Sequence, residues 1–515
     1  MVTSRAVPWL LTMVALSACG GTTDPGGGSG GSAQVGVGGE VTGGGSTDAS
    51  GCDPNYPKCV PHGGEAGDGA IGESGGSGGS SYGGGAPSGS AGYGPGGGPS
   101  QYPGSGFIVH EWGTDTIVVG SNGSLQRGLH HEEEDLPAFV YDRLRAGASI
   151  GAGNPISPSV TIKMETPVTY FYSDVPRSVR AKVSFPQGVL TQWYPGVAKF
   201  LPAIAAPEAV SPLVGPATYA DPALDPAFPF QSELCRTKWS AAAGGELDWG
   251  DIAVLPRNTK QNIEMPDAPL DKFSWSYARA VNANRLQLPN GEAEQFLFYR
   301  GLGDFNLPVE VTAGKGGIVM LTNDFSKPVG TVFSINVDAE RGAFNVYPQG
   351  IAAKSVLVTS SPDLSRADVL SQYQEKLAEQ VTAALDATGL YHDEAVAMVN
   401  TWKRQWFRTP GARLLYVIPQ LWTDSSIPLT IEPKPDALLR VMLIRVEVIT
   451  PEQEADDLQA LTQLEASVPA ARTHFAALGR FAEPRLRRAL AQRPSPLGEA
   501  YLAEIRGANT AVASE

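Results

Sequence analysis

Two hydrophobic periods divide the chain. From about residue 106 to 350, apolar and aromatic runs of strand length alternate with clusters of Gly, Pro, Asn and Asp: FIVHEW, VTIKMETPVTYFYS, VRAKVSF, QFLFYRGL, PVEVTA, GIVMLTN and GTVFSINV. In VRAKVSF the residues Val179, Ala181, Val183 and Phe185 share one face, as in an antiparallel strand with one side in a core. No regular helical crossovers separate these runs, which predicts a sandwich or open barrel rather than an α/β sheet. The stretch 201–232 is rich in Ala and Pro and reads as a long surface loop.

After about residue 360 the period lengthens. Val369, Leu370, Tyr373, Leu377, Val381 and Leu385 recur at helical spacing, with Asp363 or Ser365 as candidate caps and Gly389 as the stop. HDEAVAMVNTWKRQWF predicts a second amphipathic helix, and ARLLYVIP and ALLRVMLIRVEVIT predict strands. PEQEADDLQALTQLEA predicts a helix opened by Pro451, with acidic residues where they suit the dipole. More helix is expected to about residue 507. The expected fold is α+β: an antiparallel, β-sandwich-like domain over 106–358, then a helix-rich α+β domain over 359–515. Two domains are expected because about four hundred residues exceed one typical core.

The first residues, MVTSRAVPWLLTMVALSACGG, follow a different pattern. A basic start, an apolar run too short to span a bilayer and a small-residue end predict a signal peptide over 1–18. Leu16-Ser17-Ala18-Cys19-Gly20 resembles the bacterial lipobox, which implies cleavage before Cys19 and acylation of it. Several acyl chains anchor stably where one does not. By analogy with lipoprotein sorting, Gly20 after the Cys implies the outer membrane or cell surface. Residues 19–105 are dominated by Gly and Ser and lack the apolar content to offset ordering entropy, so a disordered tether is expected. Its root-mean-square reach is roughly 50 Å.

The formal net charge of −15, with no basic run, argues against nucleic acid as a partner. The membrane, through the lipid anchor, is the expected contact, with a protein or glycan partner left open. Cys52 and Cys59, in CDPNYPKC, read as a disulfide loop in an oxidising compartment, and Cys235 as a buried thiol.

Chemistry has few candidates. HEWGT is not HExxH: position 114 is Thr, and on a strand His110 and Trp112 face one way while Glu111 faces the other. In LHHEEEDLPAFVYDRLRAG, the residues Leu136, Phe139, Val140 and Leu144 recur at helical spacing, with Gly147 as the stop. Two readings stand: a solvated, acidic helix start, or a metal site built from His110, His130, His131, Glu133 and Glu134, suited to zinc, iron or manganese. In KMETPV, Lys163 and Glu165 share a strand face, either as a surface ion pair or, beside His110, as acid–base groups. Asp248 and Arg300 stand at the ends of apolar runs. Glu111, Lys163, Glu165 and Arg300 are thus the catalytic candidates. No G-x-S-x-G elbow, P-loop or G-x-G-x-x-G turn stands between a predicted strand and helix.

HEWGT, HHEEEDLP, KMETPV, FYRGLG, WFRTPGARLLYVIPQ, PLTIEPKPDALLRV and EVITPEQE together resemble a group of uncharacterised secreted bacterial proteins over most of 106–460. That resemblance implies no activity. The functional expectation is a lipid-anchored surface protein presenting a binding or structural module. A metal-assisted hydrolase acting outside the cytoplasm is the alternative. A binding module is expected to show an exposed aromatic groove, drawn from Trp193, Tyr194 and Trp239.

Overall fold

A ten-stranded sheet organises the folded part of the chain. The computed structural model describes residues 106–129, 136–137, 139–142, 160–201, 244–257, 274–305, 307–466 and 469–507. At the middle of the sheet, β1 (Ile108–Val119) pairs in parallel with β19 (Ala437–Val448) and antiparallel with β3 (Ile162–Tyr172). Beyond β19 lie β17 (Gly411–Ile418), β13 (Val332–Val337), β14 (Arg341–Tyr347) and β16 (Asp368–Val369). Beyond β3 lie β10 (Phe296–Gly303), β5 (Gly188–Tyr194) and β2 (Tyr141–Asp142). β1 and β3 are buried along nearly their whole length, which explains why the HEWGTDTIVV and KMETPV runs carry no clean alternation: a sheet covered on both faces does not need one.

One face packs on two smaller sheets. The first orders β18 (Leu429–Glu432), β4 (Arg177–Phe185), β7 (Gly245–Leu255), β8 (Arg285–Gln287) and β9 (Ala293–Glu294), with β6 (Lys199–Leu201) also on β7. The second orders β11 (Val309–Ala313), β12 (Ile318–Asn323) and β15 (Ser355–Ser360). Val183, Leu247, Val254, Val311 and Leu321 meet Val109, Met164, Tyr299 and Ile444 in this inter-sheet core. The opposite face is covered by α1 (Trp275–Ala278), α2 (Leu370–Asp386) and α3 (His392–Arg408), whose Tyr373, Leu377, Met398 and Trp402 pack with Trp112, Tyr170, Phe296 and Ile335. After α4 (Gln420–Ser426), four C-terminal helices follow: α5 (Pro451–Glu465), α6 (Pro469–Ala476), α7 (Ala482–Gln492) and α8 (Pro496–Gly507). They share a core of Leu461, Phe475, Leu486, Leu490 and Leu502.

The fold is α+β, sheet-rich before a helix-rich C-terminus. All seven expected strand runs contribute strands, and Val179, Ala181, Val183 and Phe185 are the buried face of β4. The described residues fall in one compact unit, and the large sheet crosses the boundary expected at 358/359, because β16, β17 and β19 join it from the far side. α2 begins at Leu370 rather than near Asp363, whose carboxylate caps a separate 3-10 turn, Leu364–Arg366, by accepting from Ser365 N–H. The helix expected around Leu136–Val140 is not formed over its described residues. Leu136 and Pro137 are irregular, and Tyr141 enters the edge strand β2, where its hydroxyl donates to Glu292 Oε1 at 2.6 Å. The helical spacing there reflects Phe139 and Val140 packing into the aromatic layer, with Phe139 at 4.8 Å from Tyr194 and 5.4 Å from Trp275. Leu144 and Gly147 lie outside the described residues. Among the described residues, no helix is long and apolar enough to cross a membrane.

Candidate functional site

Three neighbouring strands lose register at one level of the sheet. β1 slips against β3 between Trp112 and Thr114, and β10 slips against β3 between Phe298 and Gly301. β10 also slips against β5 between Arg300 and Gly301. The cause is in β3. Thr166 has φ +53°, a left-handed conformation that strains a β-branched residue by about 1–3 kcal/mol. Pro167 follows and has no N–H for the ladder. Opposite them stands Gly113, where a Cβ would lie 2.9 Å from Pro167 Cα. HEWGT and METPV are therefore two sides of one bulge, and the glycine of the first makes room for the proline of the second. Such bulges re-aim side chains and gather beside functional sites.

On the helix-covered face the bulge opens a cavity of about 20 Å³, room for one or two water molecules. Thr166, Val168, Phe296, Phe298 and Arg300 form its sheet side. Ser274, with Trp275 and Ala278 of α1 and Thr401 and Trp402 of α3, forms the helix side, and Leu136 and Pro137 complete it. Trp275 meets Phe296 and Phe298 at centroid distances of 5.1 and 4.9 Å. The Arg300 guanidinium lies 5.8 Å from the Phe298 ring centre. Ser274 Oγ donates to Thr401 O at 3.2 Å, and Thr401 Oγ1 donates to Ala397 O at 2.8 Å. Thr166 Oγ1 and Trp402 Nε1 are buried without a hydrogen-bond partner.

Of the four catalytic candidates, Arg300 lines the cavity, and its charge together with that of Lys163 acts on Glu165, the residue before Thr166 in β3. Lys163, Glu165 and Arg300 are buried, not a solvated surface pair. Glu165 Oε1 accepts from Thr116 Oγ1 and from Arg480 Nη1, each at 2.8 Å. Burial pushes this carboxyl up, but the charges of Arg480, Lys163 and Arg300 outweigh it and hold the group at about 2. The pair does not stand beside His110: Glu165 lies opposite Thr114, and Lys163 opposite Thr116.

Asp115 has the contrary environment. It faces the inter-sheet side, and neither of its carboxylate oxygens has a hydrogen-bond partner. Burial, and then the charge of Glu165, pushes it up to about 8. Ile444 alone separates it along the sheet from Tyr416, whose hydroxyl is also buried and unpartnered. The sheet lies between Asp115 and the cavity, so Asp115 and Glu165 do not form an acid–base pair over one ligand.

The parity of HEWGT is as the strand period requires. His110 faces the helices, and its Nδ1 lies 2.8 Å from Glu394 Oε2. Glu394 also accepts from Tyr172 Oη at 2.7 Å and from Tyr391 N at 2.7 Å, the latter closing the start of α3. Tyr391 and Tyr172 flank the imidazole at 4.5 and 5.4 Å. Glu111 lies on the other face, fully buried. Its Oε1 accepts from Tyr299 Oη at 2.6 Å and Thr169 Oγ1 at 3.1 Å, and its Oε2 accepts from Arg440 Nε at 2.6 Å. This buried ion pair joins β1 to β19. It stabilises the charged form of Arg440 against the opposing effect of burial. EVITPEQE is a helix start: Thr450 and Gln453 close a capping box, and Glu454 Oε1 accepts from Ser121 N at 2.9 Å.

His130, His131, Glu133, Glu134, Cys19, Cys52, Cys59, Cys235 and Trp239 lie outside the described residues. Among the described residues, no three His, Cys, Asp or Glu side chains come together as a ligand set. Trp193 and Tyr194 do not line an exposed groove: they are 1 % exposed, because β5 lies inside the large sheet with a layer on either side. Asp248 sits within β7 and accepts from Gly250 N at 2.8 Å, shaping a register shift between β4 and β7. Sequence reasoning missed Thr166, Trp402 and Asp115. A Thr-Pro step inside an otherwise continuous strand run was the available signal for the first. Trp402 has the same helical spacing as its core neighbours, and nothing in the sequence distinguishes it. No protein-family model matches the chain, and no curated protein matches it.

Proposed function

We propose that this chain is an exported, lipid-anchored protein of the outer membrane or cell surface that binds a small ligand in the cavity at the register break. Cys19 in its lipobox context supports the anchor, and residues 19–105 supply the spacer. The cavity carries the binding reading. It combines aromatic walls, a strained residue and two unpartnered polar atoms on a rigid sheet, the features of a preorganised pocket. Catalysis fits less well, because no carboxylate is among the residues that line the cavity, and Glu165, next to Thr166 in the chain, is held ionised and engaged by Arg480 and Thr116.

Fractionation tests the anchor: wild type is expected with membranes, and Cys19→Ala in the soluble fraction. A thermal-shift screen tests the cavity. A ligand at a hundred times its Kd stabilises by about 2.7 kcal/mol. It is expected to raise the Tm of the wild type and not of Ala278→Val, which fills the cavity. Ligands that shift both proteins equally would remove the cavity from the account.

One observation favours a second reading. His110 offers Nδ1 to Glu394, the arrangement by which a carboxylate orients a metal-ligating imidazole through its other nitrogen. A metal-assisted hydrolase would use that nitrogen with His130, His131, Glu133 and Glu134 on zinc, iron or manganese. Elemental analysis of the purified chain and of His130→Ala decides it: stoichiometric metal lost in the variant supports the hydrolase, and a metal-free wild type rejects it.

A further inference from the structure

Among the described residues, the sheets end in edges that are blunted against further strands, with one exception. β2, β9 and β16 are two residues long, and β6 has three and begins at the exposed Lys199. β18 carries Glu432 and stands between Pro428 and Pro433. β11 carries Glu310, and its Ala313 N–H donates to Ser121 O. Shortness, charge, proline and cover are the means by which an edge avoids pairing with another chain. β15, Ser355-Val356-Leu357-Val358-Thr359-Ser360, has none of them. We propose that β15 pairs antiparallel with β15 of a second copy of this chain, joining two three-stranded sheets into one of six across a two-fold axis at Leu357. This surface is separate from the cavity and does not depend on the binding reading above.

β15 pairs on one side only, with β12, in a register without a bulge. Among the described residues no other strand meets its far side, and its last carbonyl, Ser360 O, accepts from the Ser334 hydroxyl at 3.1 Å. The open run is therefore Ser355 to Thr359, and Leu357 is its middle. Side chains directly opposite on an antiparallel pair share a face. Val356 and Val358 point outward and are 53 and 60 % exposed, while Leu357 packs inward against the inter-sheet core. A two-fold axis at Leu357 preserves both faces: Val356 falls opposite Val358 of the second copy, twice, and Leu357 falls opposite its own copy. A slip by one residue would set outward against inward side chains. Met320 of β12, also exposed, stands beside Val358 in the register, so each Val–Val pair continues an apolar row that Met320 begins. Charge sets the direction. The nearest charges along the chain are Lys354 before the strand and Asp363 after it. Antiparallel pairing brings unlike charges toward each other at both ends, and parallel pairing brings like ones. The uncharged run offers a charged peptide nothing to select, whereas its own copy repeats every contact twice about the axis. So short a run buries less than the about 800 Å² per partner of a standard interface. Each chain also carries a net charge of −15. The pair is therefore weak, and it forms best at high protein concentration and in salt that screens the charge.

Sedimentation velocity in high salt tests the pairing. The full chain carries Cys19→Ala, which removes acyl chains as a second cause of association. Its mass is expected to double as protein concentration rises. Val356→Lys and Val358→Lys put a charge on the edge at exposed positions, so each should weaken the dimer by about tenfold or more with the Tm unchanged. Directly opposite residues lie about 4.5–5.5 Å apart at Cα, within disulfide reach. Mixing Val356→Cys with Val358→Cys should therefore give a disulfide-linked dimer above the background of the chain's own cysteines. Ile318→Cys, exposed on the same face but on β12, should not. A chain that stays monomeric, or a dimer that both lysine variants leave intact, overturns the proposal. In a monomer, hydrogen exchange tells what replaces it: protection of every β15 amide would give the edge to another segment of the same chain, and free exchange on the open side would leave it bare.

Discussion

Asp115 gives the sharpest test of the buried electrostatics. Its carboxyl is fully enclosed, has no hydrogen-bond partner, and is pushed from 3.8 to about 8 by burial and by the neighbouring charge of Glu165. A group whose folded pKa is raised contributes its stability below the unfolded value and loses it as pH climbs to the folded one. The slope between the two is about 1.4 kcal/mol per pH unit. Over pH 5 to 8 the wild type should thus lose roughly 4 kcal/mol that Asp115→Asn, nearly the same in shape and without a titrating proton, does not lose. The amide carries its own penalty of about 1–3 kcal/mol for buried, unbonded polar atoms, but that offset does not change with pH. Urea unfolding of the two full-length proteins at pH 5 and pH 8 measures the difference. The variant should gain on the wild type as pH rises, and the gap at pH 8 should exceed that at pH 5 by roughly 4 kcal/mol. A gap that stays constant, or narrows, would show that Asp115 is ionised or partnered in the folded protein and would refute the reasoning.

Other consequences follow from the same geometry. Glu165 is held at about 2 against an ordinary 4.5, so it contributes stability above 4.5 that is lost as pH falls toward 2. Glu165→Gln should lower stability at pH 7 by about 3–5 kcal/mol, leaving Arg480 unbalanced, and its acid unfolding curve should lack the wild type's loss between pH 4.5 and 2. Gly113→Ala puts a methyl 2.9 Å from Pro167 Cα. It should destabilise by about 1–3 kcal/mol in thermal unfolding; an unchanged Tm would mean that the bulge yields easily. Glu394→Gln disturbs bonds to His110, Tyr172 and Tyr391 together. A loss of about 2 kcal/mol or more is expected, with faster amide exchange at the start of α3.

What the sequence revealed and what it hid have a common physical basis. Local period is set by which faces are buried, so VRAKVSF, half exposed, declared both its strand and its inner face, and HEWGT declared that His110 and Glu111 part company. α3 and α5 were legible for the same reason. Partners distant in sequence were not. Lys163 and Glu165 resemble a surface pair because two charges on alternate positions of a strand usually face water; here Arg480, 315 positions away, reaches the sheet and balances Glu165. Glu111 is paired by Arg440 across the parallel β1–β19 ladder, a neighbour no local pattern announces. Trp193 and Tyr194 suggested an exposed groove because aromatic pairs often mark binding surfaces, yet β5 places them between layers. The site itself was half written: HEWGT and METPV were conspicuous, but that Gly113 faces Pro167 is a matter of register.

The central claim is that the cavity at this register break holds a ligand. The most direct measurement is mass analysis of small molecules released when the full chain, purified from membranes under mild conditions, is denatured. A small molecule is expected in near-equal amount to the protein, and none from Ala278→Val. A wild type that releases nothing, with Ala278→Val merely more stable, would make the cavity a packing defect and contradict the account.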